Sequence, residues 1–131
     1  MKTLLILAVA LLGGCYGWEY PRLDDIRRVE SASSVTRLSV AELKDEKSSR
    51  YVGEVIEVEG IVGHVVNKGG QPAVVLVDVD QTSGLLMTFG PKGKGAVGAL
   101  VQGEHAVFRG LLTRRPTKVS QGELRPAIVV K

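Results

Sequence analysis

The stretch between Tyr51 and Val66 constrains the fold more than any other part of the chain. Apolar and polar side chains alternate there as in a half-buried strand, and the alternating residues are Ile56, Glu57, Val58, Glu59 and Val62. Gly60 and Gly63 interrupt this alternation, and glycines inside a long strand mark a bulge or a sharp bend. A small closed β-barrel requires such a bend, because one of its strands must contribute to both of its sheets. The stretch therefore predicts a barrel.

A short helix and four further strands complete this prediction. Ser39-Val40-Ala41-Glu42 has the capping-box pattern, which predicts a helix over residues 40–48. Turn-forming residues then separate apolar runs that predict strands at residues 73–79, 85–89, 105–113 and 124–130, with a loop over residues 90–98. The side chains that we expect in the core are those of Ile56, Val58, Val62, Val75, Val77, Leu86, Val107, Leu111 and Val129.

The composition agrees with one β-rich domain and excludes several alternatives. The chain has 131 residues, 16 of them glycine, and valine is frequent among its apolar residues. Its net charge of +3 is too small to steer a charged partner strongly. The single cysteine excludes a disulfide within the chain, so packing and hydrogen bonds must stabilise the domain.

Two motifs resemble those of a known class of barrel domain. Residues 51–62 read Tyr-Val-Gly-Glu-Val-Ile-Glu-Val-Glu-Gly-Ile-Val, and a later segment reads Gly103-Glu104-x-x-Val107-x-x-Gly110. Both resemble strands of the bacterial tRNA-anticodon-like OB domains, over roughly residues 39–130. The resemblance implies a mainly β, five-stranded OB-fold Greek-key barrel with a short N-terminal helix. It concerns structural residues and does not imply tRNA binding.

The N-terminal residues indicate export. Lys2 precedes an apolar run over residues 3–12, which is too short to span a membrane as a helix. The sequence Leu12-Gly13-Gly14-Cys15 resembles the lipobox of bacterial lipoproteins, which implies cleavage before Cys15 and acylation of that cysteine. A plain secreted protein with an unmodified cysteine is the alternative. The expected division is a signal peptide at 1–14, a lipidated tether at 15–38 and an OB-fold domain at 39–131.

The same resemblance predicts where the protein works. A lipidated chain faces the periplasm or lies beyond it, held stably by two or more acyl chains. Tyr16 stands where the resemblance would place aspartate in lipoproteins retained at the inner membrane, and this favours the outer membrane.

Two sequence patterns resemble ligand-binding loops but lack residues that such loops require. Gly90–Gly95 is rich in glycine and lysine, but a phosphate loop requires serine or threonine after Lys94, where Gly95 stands. Asp78, Asp80 and Thr82 have calcium-loop spacing, but the required glycine and glutamate are missing. We therefore predict a solvated turn there.

Catalysis has no evident candidate residues. His64 and His105 are the only histidines and lie in predicted strands, without cysteines nearby that would indicate a zinc site. Cys15 is assigned to lipid, so no nucleophile is left. We predict a protein that is not an enzyme and needs neither metal nor cofactor.

Basic loops form the one candidate binding surface. OB-folds bind ligands on their second and third strands, framed by the loops that follow the first and fourth strands. Those loops here carry Lys68, Arg114, Arg115 and Lys118, which suit an anionic polymer. The alternative is that these residues serve solubility or contact acidic lipid headgroups.

The aromatic content argues against nucleic acid as the ligand. Single-strand binders stack bases on aromatic rings. Residues 39–131 contain only Tyr51, Phe89 and Phe108, and we expect Phe108 to pack in the barrel. We therefore predict a membrane-anchored, non-catalytic binding or scaffolding module for an envelope protein or glycan. An oligonucleotide-binding OB-fold protein is the alternative.

Overall fold

The computed structural model describes residues 21–66, 71–80 and 84–130. The predicted signal peptide, Cys15 and Lys68 lie outside these residues. The strands are β1 (Arg37–Ser39), β2 (Val55–Val66), β3 (Ala73–Val77), β4 (Gly84–Phe89), β5 (His105–Arg114) and β6 (Gly122–Val129). The α-helices are α1 (Leu23–Ser31), α2 (Val40–Leu43) and α3 (Lys94–Gly98), and 3-10 helices cover Glu46–Tyr51 and Pro91–Gly93.

Strands β2 to β6 close into a barrel. Their order is β2-β3-β4-β6-β5, and β5 returns to pair with β2. The pairing of β4 with β6 is parallel, whereas the other four pairings are antiparallel. The predicted five-stranded Greek-key barrel is therefore confirmed. One strand was not predicted: β1 lies parallel to β2 and pairs with its first half.

The bent strand has the predicted position and role. In β2, residues 55–61 pair with β5 and residues 61–66 pair with β3. The register shifts between Val62 and His64, so Gly63 forms the irregularity. At Gly60, an added Cβ would lie 2.9 Å from Leu76 Cγ and from Val40 Cγ2, so the bend also allows β3 and α2 to approach closely. The strand can therefore serve both halves of the barrel.

The predicted core is correct on β2 and wrong on β3 and β4. Ile56, Val58 and Val62 are at most 1% exposed. Val107 is also buried, and Val129 is half-buried against the core. The other four predicted core residues, Val75, Val77, Leu86 and Leu111, are only half-buried.

The core positions on these strands belong to the neighbouring residues. Val74, Leu76, Leu85 and Leu112 are 0% exposed and fill the barrel, together with Met87, Phe89, Phe108 and Leu124. On β4 the polar Thr88 shares the parity of Leu86, so that strand did carry a polar mark of its outward face. On β3 both faces are apolar, so no polar residue marks the outward parity there. This is the physical reason for the incorrect assignment on β3.

The segment that was interpreted as a tether contains folded structure. Helix α1 packs against β5 and β6, and its Val29 is 0% exposed. Arg28 donates from Nη2 to the Gly53 carbonyl oxygen at 3.0 Å, which links the helix to the start of β2. The folded unit therefore includes residues before Ser39. None of the helices among the described residues is long and apolar enough to span a membrane.

The capping box is formed as predicted. Ser39 Oγ accepts from the Glu42 amide at 3.0 Å, and Glu42 Oε1 accepts from the Ser39 amide at 2.8 Å. The α-helix is shorter than expected and ends at Leu43. Asp45 then caps a separate 3-10 helix by accepting from the Lys47 amide at 3.0 Å.

We expect Gly110→Ala to destabilise the barrel by about 1–2 kcal/mol. An added Cβ would lie 2.5 Å from the Pro126 carbonyl oxygen and 2.6 Å from Leu124 Cγ. Gly95→Ala is the matched control, because Gly95 lies in α3 and an added Cβ would meet nothing within 4 Å. Urea unfolding should show the control to be as stable as the parent or slightly more so. Equal stability of the two variants would contradict the close packing of β5 on β6.

Candidate functional site

The outward surface of β2, β3 and β4 forms an apolar face, which we call the outer aliphatic face. Its residues are Ile61, Val75, Val77 and Leu86. The register pairs Ile61 with Val77 and Val75 with Leu86, so these side chains lie on one side of the sheet. All four are half-buried. The face therefore offers aliphatic surface that the barrel does not use for its own core.

Two glycines shape the outer aliphatic face. An added Cβ at Gly63 would lie 3.1 Å from Val77 Cγ1, and one at Gly84 would lie 3.3 Å from Val75 Cγ1. The two valines therefore lie over strand positions that have no side chain. As a consequence, no larger side chain at these two positions projects above the valines. His64, which pairs with Val75, is exposed beside it.

A shallow groove continues the outer aliphatic face towards α2. It has a volume of about 250 Å³ and is lined by Val40, Ala41, Ile61, Val77 and Val79, among others. Val79 is 80% exposed there. The apolar surface thus extends from β4 across β3 to the first turn of α2.

Two of the predicted basic residues form bonds within the protein itself. Arg114 donates from Nε to the Gln121 carbonyl oxygen at 2.9 Å, across the loop between β5 and β6. Arg115 donates from Nη1 to the Lys44 carbonyl oxygen at 2.7 Å, at the end of α2. Lys118 is exposed on the same loop. The structure therefore gives Arg114 and Arg115 structural bonds, and leaves Lys118 as the outermost cation of the loop.

A buried ion cluster on the first half of β2 was not predicted. Glu57 is 7% exposed and pairs with Arg109 at 2.8 Å and with Arg37 at 2.9 Å. The bond from Arg109 is the main cause that lowers the pKa of Glu57 below its ordinary value, and Arg37 adds to it, while burial opposes it. The cluster joins β1, β2 and β5. Both carboxylate oxygens of Glu57 accept hydrogen bonds from the two arginines, so we infer that the cluster stabilises the fold.

The prediction of a solvated turn at Asp78 is wrong, because this carboxylate is held by an ion pair inside the protein. Asp78 is buried and pairs with Lys44 at 2.7 Å. His105 Nε2 lies 3.6 Å from Glu59 Oε2 at the surface. In the described part of the chain, no group of three or more histidine, cysteine, aspartate or glutamate residues is placed to hold a metal ion.

No protein-family model and no curated protein sequence matches this chain. Among solved structures, it is similar to a lipoprotein proposed to bind nucleic acid, from Klebsiella pneumoniae subsp. pneumoniae MGH 78578. The TM-score is 0.59, with 24% identity over 85% of this chain and 99% of that chain. It is also similar to a protein proposed to be an aspartyl-tRNA synthetase, from Leishmania major Friedlin. There the TM-score is 0.54, with 12% identity over 95% of this chain and 26% of that chain.

The barrel is an OB-fold. Its closed strand order and its similarity to a synthetase structure establish this. OBody AM3L09, bound to hen egg-white lysozyme, is also similar, with a TM-score of 0.51 and 16% identity over 76% of this chain and 98% of that chain. OB-folds bind ligands on their second and third strands. In this OB-fold those strands are β3 and β4, so the outer aliphatic face occupies the usual binding position.

Proposed function

We propose that this chain is a lipid-anchored OB-fold module that binds another envelope protein through its outer aliphatic face. The anchor is the lipidated Cys15, and the module faces the periplasm from the outer membrane. The single observation that carries the proposal is the apolar character of β3 and β4 at the position where OB-folds bind. The module binds or scaffolds and catalyses nothing.

The chemistry of this face suits a protein ligand. Its centre consists of aliphatic side chains, and among the described residues it carries no aromatic ring on which a base or a sugar could stack. The middle of a protein–protein interface is typically depleted of charge and surrounded by polar residues. His64, which pairs with Val75, supplies an exposed polar group beside the face. A partner with a small apolar patch would match it.

Nucleic acid is the second candidate ligand. The similar Klebsiella pneumoniae structure is that of a lipoprotein proposed to bind nucleic acid. Arg114 and Lys118 are exposed beside β6 and could contact phosphates, with Lys68 on the loop after β2 as a further cation. This candidate predicts strong salt dependence, whereas binding through the aliphatic face does not.

Site-specific photo-crosslinking in living cells tests the proposal. A photoreactive residue at position 86 should yield one discrete crosslinked envelope protein, and the same residue at position 23 should not, because Leu23 is exposed on α1, which packs against β5 and β6. In parallel, amide NMR of the full chain carrying Cys15→Ser in neutral detergent would follow additions of single-stranded DNA or peptidoglycan fragments. DNA-induced shifts on β3 and β4 would overturn the proposal in favour of the second candidate. Shifts only with glycan would replace the protein partner with a cell-wall ligand.

We expect Val77→Lys to abolish the crosslink formed from position 86. An ammonium group at the centre of the face would have to lose its water when an apolar partner docks. The melting temperature should change little, because Val77 is only half-buried and its side chain points outward. Leu23→Lys is the control, because Leu23 is 59% exposed and lies on α1, which packs against β5 and β6. An undiminished crosslink in Val77→Lys would show that the partner docks elsewhere.

A further inference from the structure

A second groove lies between helix α1 and the start of β2, and we call it the α1 groove. Its volume is about 730 Å³, which is in the range of small-molecule sites. It is lined by Arg28, Arg50, Tyr51, Glu54 and four serine and threonine side chains between residues 31 and 36. The α1 groove shares no residue with the outer aliphatic face. It exists because α1 is folded against the barrel.

Two guanidinium groups in the α1 groove are held in place with N–H donors to spare. Arg28 uses Nη2 to reach the Gly53 carbonyl oxygen at 3.0 Å. Arg50 lies over the Tyr51 ring at 4.9 Å and donates from Nη2 to the Tyr51 hydroxyl at 2.9 Å. Among the described residues, neither arginine forms an ion pair, in contrast to the two arginines that hold Glu57. Each guanidinium has five N–H donors, so most of them remain for a ligand.

The charge balance of the α1 groove favours an anion. Among the described residues that line the groove, Glu54 is the only carboxylate, and the two guanidinium groups outnumber it. Hydroxyl groups on the linker after α1 add neutral donors. Ser34 adopts a φ of 57° there, in the left-handed region that serine rarely occupies, and such backbone outliers cluster at ligand-binding segments. Arginine matches phosphate geometry better than any other side chain, because its planar fork donates two parallel bonds.

We propose that the α1 groove binds a phosphate ester through Arg28 and Arg50. The same chemistry is offered by the headgroup of an anionic phospholipid and by a soluble phosphate ester. Accessibility to a headgroup rests on the lipid anchor proposed above: α1 begins eight residues after Cys15, and an extended chain of that length reaches at most about 28 Å, which keeps the start of α1 within that distance of the anchor. This inference does not depend on the partner proposed for the outer aliphatic face.

Amide NMR of the full chain carrying Cys15→Ser, in neutral detergent, tests the proposal with two probes. The first is glycerol 3-phosphate in solution, and the second is phosphatidylglycerol added to the micelles. The amides of residues 31–36, Arg50 and Tyr51 should shift. Shifts with both probes identify the phosphate ester itself as the ligand, and shifts with phosphatidylglycerol alone identify a headgroup. Shifts with neither probe, or shifts confined to other surfaces, would overturn the proposal.

Two variants and a matched control distinguish specific binding in the α1 groove from non-specific electrostatic attraction to the basic residues of α1. Arg28→Gln and Arg50→Gln should each weaken binding about tenfold, because each removes charged hydrogen bonds to the phosphate. Arg50→Gln keeps the link from α1 to Gly53, so it reports on binding even if Arg28→Gln unfolds the helix. Arg27→Gln is the control, because Arg27 is exposed on the same helix but does not line the groove. It should weaken binding less than about twofold. Equal losses in Arg27→Gln and Arg28→Gln would overturn the proposal.

Discussion

Val58→Asp should abolish the folded state at room temperature. Val58 is 0% exposed, and its neighbour across the ladder is Phe108 of β5, which is also 0% exposed. An aspartate there would bury a carboxylate among apolar side chains, at a cost of more than about 4 kcal/mol. A domain of this size has only about 5–15 kcal/mol of stability to lose. Circular dichroism melting and the dispersion of amide NMR signals would measure the effect.

Val119→Asp is the control for this prediction. It makes the same chemical change at a valine that is 95% exposed, on the loop between β5 and β6. Its free energy of unfolding should lie within about 0.5 kcal/mol of that of the parent, as is usual for surface substitutions. If Val58→Asp melted like the parent as well, the inward parity of β2 would be wrong, and with it the register of the barrel.

Glu57→Gln should cost about 2–3 kcal/mol at neutral pH. The substitution keeps the shape of the side chain but removes the charge that Arg109 and Arg37 share. Arg109 is only 23% exposed at its side chain and would be left without its partner. Arg37 is nearly half exposed and can regain water, which keeps the cost below that of a fully buried cluster. Chemical denaturation at pH 7 would measure the loss.

The pH dependence of this loss identifies its cause. The pKa of Glu57 is lowered from 4.5 in the folded protein, so its contribution to stability is fully present above about pH 4.5. It is lost as the pH falls through the lowered pKa, because the folded protein must then give up the two arginine bonds. The difference between parent and Glu57→Gln should therefore be constant from pH 5 to 7 and shrink in more acidic solution. A difference that stayed constant into acid would argue for a packing effect instead.

Glu59→Gln is the matched control for Glu57→Gln. Glu59 lies two residues further along β2 and carries the same charge, but its side chain is 39% exposed and its partner is His105 at 3.6 Å. Exposed pairs of this kind contribute about 0–1 kcal/mol. A loss as large as that of Glu57→Gln would show that the arginine cluster has no special role.

The sequence predicted local features well where polar residues marked them. Glutamates alternate with the valines of β2, so the inward parity of Ile56 and Val58 was predicted correctly. The capping box at Ser39 is specified within four residues and formed as expected. The glycines of β2 indicated the bend, because glycine inside a strand often marks a bulge or a tight bend. The five barrel strands followed from these local patterns.

The sequence indicated where a binding surface would lie, and the assignment of Lys68, Arg114, Arg115 and Lys118 to ligand binding stays a prediction. The resemblance to OB domains indicated the surface of the second and third strands as the binding surface. The residues expected to contact a ligand, however, were basic residues of the loops. The structure instead shows an aliphatic surface there, made of Val75, Val77 and Leu86, which had been assigned to the core. Arg115 had been expected to face a ligand, and it bonds to the end of α2. Loop conformation decides such contacts, and it has no periodic pattern in the sequence.

By itself, the sequence determined the barrel class, the bend in β2 and the start of α2, because each depends on residues close together in the chain. The tertiary structure decided which face of β3 is inside, since both of its faces are apolar and only closure of the barrel selects between them. It also decided the pairing of Glu57 with Arg109, which lie 52 residues apart, and the packing of α1 that forms the α1 groove. Contacts between distant segments depend on how the strands close around the core, and no local pattern records that.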